Sequence, residues 1–209
     1  MWNRLFDMEN PLMRALSAVC DLLVLNLLTL VCCLPIITAG AAVTALCDLS
    51  LRMVRGEEAH IVKPYFRSLR ANLKKGTLLE LLLLFAAAVF YVDNRLAAAV
   101  FPPLRLAVVA GALLVGALSL YAFPLLARYE NTLPKTLRNA AALAVAFFPR
   151  TLGMLVFTVG LWLACLTFYQ TALPVLLLFG LSLPAYVNAL LLDAVFRRID
   201  HEETEDDSQ

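Results

Sequence analysis

Apolar residues run almost without interruption from Leu16 to Leu51, and Pro35 breaks the run inside Leu34-Pro35-Ile36-Ile37-Thr38-Ala39-Gly40. An unbroken helix over that stretch would measure about 54 Å, whereas the hydrocarbon core of a bilayer is about 30 Å thick. Proline removes one helix hydrogen bond and biases Leu34 away from helix. The pattern therefore predicts two membrane helices meeting at a tight turn, from about 11 to 34 and from 38 to about 55. Asn10-Pro11 suits the start of the first. Thr38 is expected to cap the second, and Gly40 to permit close packing.

Further apolar runs predict a third helix over 77–101, a turn at Pro102-Pro103, and a fourth helix over 104–128. A fifth follows over 150–170, and a sixth over 174–196, kinked at Pro184. Two segments show a different pattern. In Ile61–Lys75 the apolar residues Ile61, Tyr65, Leu69 and Leu73 recur every four positions, with Lys63, Arg67, Arg70 and Lys74 on a separate stripe. Such a helix lies in the headgroup plane or docks a partner. The second segment, Pro134–Phe148, is too short to cross comfortably and is closed by Pro149. Lys135-Thr136-Leu137-Arg138-Asn139 loosely echoes Arg67-Ser68-Leu69-Arg70-Ala71-Asn72. The expected fold class is all-α: a polytopic membrane protein with six transmembrane helices, the first two a proline-broken hairpin, and two cytoplasmic amphipathic helices.

Composition agrees with this reading. Apolar residues make up 62% of the chain and charged residues 16%, against roughly 45–50% and 25% in soluble domains. The net charge of +1 hides an asymmetry. Asp200, Glu202, Glu203, Glu205, Asp206 and Asp207 crowd the C-terminal end, leaving the rest at +7. Residues 1–199 read as a single membrane domain and 200–209 as an acidic, disordered cytoplasmic tail. With six spans, fifteen Lys and Arg residues fall on one side and two, Arg95 and Arg105, on the other; with five, the split is thirteen to four. Six spans place both termini and both basic loops in the cytoplasm of a multi-pass protein of the cell membrane. No cleavable signal is expected, so the first span acts as an anchor.

Candidate chemistry is sparse. Asp48 with Arg52, and Asp193 with Arg197, are spaced as helical ion pairs. Asp21 and Glu80 also fall at cytoplasmic helix ends. Asp93 either faces an outer polar pocket or marks the end of its helix. Asn26 and Asn188 sit near mid-span and suit bonds between helices. Cys20, Cys32, Cys33, Cys47 and Cys165 have no metal-site spacing, and the two histidines, His60 and His201, lie outside the spans. No HExxH, GxSxG or nucleotide-loop string occurs. No cofactor, no catalytic activity and no nucleic-acid partner is expected.

Leu34-Pro35-Ile36-Ile37-Thr38-Ala39-Gly40, then Arg55-Gly56-Glu57-Glu58, then Phe66 and Asn72, resemble the YesL-like family of bacterial membrane proteins. Ala127-Arg128-Tyr129-Glu130-Asn131-Thr132, Leu137-Arg138-Asn139-Ala140 and Pro149-Arg150-Thr151 agree with it. Ala41 stands where the family often has proline. The family is typical of Firmicutes, and its genes commonly neighbour carbohydrate ABC importers and two-component regulators. The resemblance implies an accessory or regulatory protein of sugar uptake, with membrane lipids and an importer permease or a sensor kinase as partners. Pro35, Thr38 and Gly40 would form the turn. Lys63, Arg67, Arg70, Asn72, Lys74, Arg128, Lys135, Arg138 and Asn139 would form the cytoplasmic contact surface. A solitary transporter or channel lined by Asp93, Asn26 and Asn188 is the alternative.

Overall fold

The computed structural model describes residues 11–57, 60–100, 104–129, 131–167, 174 and 177–206. Described residues outside turns and loops are α-helical, in the order α1 (Pro11–Cys33), α2 (Ile36–Arg55), α3 (Val62–Val100), α4 (Leu104–Arg128), α5 (Leu133–Ala146), α6 (Phe148–Thr167) and α7 (Ser182–Asp206). Asn10, Glu58, the Pro102-Pro103 corner and residues 207–209 lie outside the described residues. Among the described residues, five helices are long and apolar enough to cross a membrane: α1, α2, α3, α4 and α6. Their exposed faces carry large apolar side chains, among them Leu27 and Val31 on α1, Leu81 and Phe85 on α3, and Val156 and Leu163 on α6. Such surfaces are consistent with a membrane protein.

The Pro35 break forms as the sequence predicts. Pro35 takes an extended backbone (φ −80°, ψ 119°) and α2 starts at Ile36. Thr38 does not cap α2. Its hydroxyl instead lies 2.6 Å from the Cys32 carbonyl and 3.0 Å from the Pro35 carbonyl, tying the end of α1 to the first turn of α2. Gly56 closes α2 with a left-handed φ of 71°. The Gly56 N–H donates to the Met53 carbonyl and the Glu57 N–H to the Arg52 carbonyl, a Schellman stop that favours glycine at this position. The Arg55-Gly56-Glu57 string thus has a local structural reason.

The basic segment 61–75 is not a separate surface helix. It forms the first turns of α3, which continues unbroken for 39 residues, about 58 Å. Nothing between Lys75 and Thr77 stops it, because Gly76 costs only about 1 kcal/mol within a helix. Ile61, Tyr65 and Leu69 face inward and pack with Leu25, Ala41, Ala45 and Leu49. The other short segment does form a helix of its own, α5, separated from α6 by a turn at Phe147. Thr151 secures that turn: its hydroxyl is 2.9 Å from the Ala144 carbonyl, and the Tyr121 hydroxyl lies 2.9 Å from Thr151 Oγ1.

The expected sixth helix is broken. Residues 177–179 are helical, 180–181 form a turn, and α7 restarts at Ser182. Pro184 therefore does not kink a helix; it sits in the first turn of α7, where a missing N–H costs little. The apolar part of α7, Ser182–Phe196, measures about 22 Å and is too short to cross alone. Beyond it α7 runs on to Asp206, into the stretch read as a tail.

Candidate functional site

Three polar constructions hold this bundle together, and a basic face and an apolar cleft flank them. The first lies at the break before α7. Asn26 is fully buried on α1. Its Nδ2 donates to the Leu177 carbonyl at 2.8 Å, and its Oδ1 accepts the N–H groups of Leu181 (2.8 Å) and Ser182 (3.0 Å). One side chain therefore satisfies backbone groups on both sides of the break. Asn188, on α7 itself, donates to Thr158 Oγ1 of α6 at 3.1 Å. Both asparagines join helices, as their mid-span positions suggest.

The second is the contact of α2 with α3. Gly40 and Gly76 meet so closely that a Cβ on Gly40 would lie 2.2 Å from the Gly76 carbonyl oxygen. A Cβ on Gly76 would lie 2.9 Å from the backbone of Ala41. Beside them the Thr77 hydroxyl donates to the Ile37 carbonyl. The Pro35 turn therefore lies at the depth of Thr77 along α3. The charge count put these two points on opposite faces of the membrane; packing brings them together, because the small residues of α2 match the inward face of 61–76.

The third is ionic. Asp48 and Arg52 pair at 2.9 Å as their spacing predicts. Asp193 does not rely on its own helix alone: it bonds Arg55 of α2 at 2.7 Å, with Asp193 only 7% exposed. The side chain of Arg197 lies outside the described residues. Replacing Asp193 with alanine leaves Arg55 half-buried without this anion and is expected to cost about 2 kcal/mol. Thermal denaturation in mild detergent checks it, and Asp193→Asn, which keeps an acceptor, should lose less.

The expected contact surface divides. Lys63, Arg67, Arg70 and Lys74 are exposed along α3, with exposed Val62 and Phe66 between them. Lys135 and Arg138 are exposed on α5. Lys75 Nζ donates to the Asn131 carbonyl, linking the basic end of α3 to the loop before α5. Asn72 turns back onto the Ser68 carbonyl, and Asn139 is half-buried. Arg128 is packed rather than displayed, with its guanidinium 4.9 Å above the Phe196 ring and 5.5 Å from that of Tyr129. Asp93 is exposed and stands apart from these groups; its neighbour Asn94 accepts from Arg105 at 3.1 Å. No cluster of His, Cys, Asp and Glu able to hold a metal occurs among the described residues. The cleft lies between α3, α4 and α6, with Glu80 at one end. Spacing along the sequence had marked Glu80 only as an interfacial acid; the glycine contact that places it was half visible in Gly40.

The fold defines an all-helical chain with several helices suited to a bilayer. Residues 22–94 match the model of a family described as "Protein of unknown function, DUF624", the family that contains the YesL-like proteins. The match runs from α1 through the Pro35 turn, the Gly40–Gly76 contact and the basic stripe to Asn94. No curated protein and no solved structure matches the chain.

Proposed function

We propose that this chain is a non-enzymatic accessory or regulatory protein of the cell membrane that acts with a carbohydrate ABC uptake system. The observation that carries the docking role is the exposed basic face of α3, Lys63, Arg67, Arg70 and Lys74, interleaved with Val62 and Phe66. Alternating cations and apolar side chains on a rigid helix suit a protein or membrane-surface contact. The link to sugar import rests on the YesL-like resemblance and on no single residue. Positive loops favour a cytoplasmic position for this face. Charge counts also favour six crossings with both termini in the cytoplasm, residues 174–196 supplying the last as a broken helix. The Ile37–Thr77 contact argues against that map, since it brings the Pro35 turn to the depth of Thr77.

Affinity purification from native membranes in mild detergent tests the reading. Importer components should co-purify, and changing Lys63, Arg67, Arg70 and Lys74 to serine should reduce their recovery. Recovery of no importer protein, with importer proteins demonstrably solubilised, contradicts it. Recovery of a sensor kinase instead would support the regulatory alternative. A solitary transporter would need the break before α7 to meet a substrate. Asn26 fills the backbone groups that a substrate would otherwise meet there.

A further inference from the structure

A cleft of about 730 Å³ opens between α3, α4 and α6, within the usual range of small-ligand sites. Its walls are apolar, with Leu84 and Phe90 from α3, Val109 and Leu113 from α4, and Leu155 from α6. Glu80 and Asn94 mark its ends on α3, about 21 Å apart along the helix. One bilayer leaflet contributes about 15 Å of hydrocarbon, so the cleft is long enough to hold one acyl chain along its length.

Three of its polar side chains are engaged within the protein. Asn94 accepts from Arg105, the Ser119 hydroxyl donates to the Gly116 carbonyl, and Thr158 accepts from Asn188. Glu80 is the single charged residue among those lining the cleft. The Gly40 backbone N–H reaches its carboxyl, one oxygen of which is buried, and no ion pair to it occurs among the described residues. The carboxylate is held against the first turns of α2, where a Cβ on Gly40 would lie 2.8 Å from Oε2. A carboxylate with no cation beside it can accept a charge-assisted bond from a ligand in the cleft. Lys74 and Lys75, within two turns of it on α3, set this end of the cleft at headgroup level.

We propose that the cleft holds one chain of a phospholipid with a primary-amine headgroup, its ammonium donating to Glu80 and its chain running toward Asn94. An ammonium supplies N–H donors for a charge-assisted bond to the carboxylate. A trimethylammonium headgroup of the same charge has none. This lipid site is independent of the importer reading.

Native mass spectrometry tests it after purification from membranes holding equal phosphatidylethanolamine and phosphatidylcholine. The wild type should retain phosphatidylethanolamine over phosphatidylcholine by about tenfold. Glu80→Gln should remove the preference, and Ala112→Trp, which fills the cleft, should lower retention of both lipids. Equal retention of the two lipids by the wild type overturns the proposal, as does an undiminished preference in Glu80→Gln. A lipid-free dimer overturns it too, by making a second copy the occupant. The wild-type comparison decides the matter if either variant fails to fold.

Discussion

Replacing Asn26 with leucine should lower the stability of the bundle by about 3 kcal/mol, because it leaves three backbone groups without partners. The Leu177 carbonyl and the N–H groups of Leu181 and Ser182 all bond this one side chain. Water cannot replace it at a fully buried position. The break before α7 would then have to close into helix or separate from α1. Aspartate distinguishes the donor from the acceptor. A carboxylate at position 26 accepts from both N–H groups but places a lone pair against the Leu177 carbonyl; a neutral carboxyl reproduces both roles. Asn26→Asp should therefore be less stable than the wild type at neutral pH and recover part of the loss at low pH, where the carboxyl is neutral. Thermal midpoints in one detergent across a pH series measure this, with the wild type as reference.

Gly40→Ala should cost about 3 kcal/mol, at the upper end for one added methyl group. The new Cβ would meet the Gly76 carbonyl oxygen at 2.2 Å and Glu80 Cβ at 2.7 Å. The first of these is backbone and cannot rotate away, so α2 and α3 must move apart. Gly76→Ala meets the Ala41 backbone at 2.9 Å and should act in the same direction. Gly153 is the internal control. Among the described residues no atom beyond its own stretch of helix lies within 4 Å of a Cβ placed there, so Gly153→Ala should gain up to about 1 kcal/mol from helix propensity. Opposite signs at two helical glycines separate close packing from backbone entropy. Equal effects at Gly40 and Gly153 would remove the packing argument.

Much of this fold is legible in the sequence. Proline at 35 and glycine at 56 fix the ends of α2, since one lacks a donor and the other accepts a left-handed φ. Continuous apolar runs give α1, α4 and α6 to within a few residues of their observed bounds. What escapes is pairing at a distance. The four-residue repeat in 61–75 marks one buried face, but it cannot say that this face packs on α2 and continues into α3. The spacing of Asp193 and Arg197 offered a local partner, while Arg55 is 138 positions away. Pro184 looked like the kink because proline carries the stronger local signal; Gly180-Leu181 breaks the helix because Asn26 stabilises the opened backbone. Among the candidate site residues, charge patterning found the exposed Lys63–Lys74 stripe, but it could not show that Arg128 stacks inside the bundle.

The α1–α2 turn docks on α3 at Gly76 and Thr77. Cysteines placed at Ile37 and Thr77, with the five native cysteines replaced, test it most directly in native membranes with a short bifunctional maleimide. Efficient intramolecular cross-linking between the two positions is expected. No cross-link, with residue 37 labelled only from outside the cell and residue 77 only from inside, would contradict it.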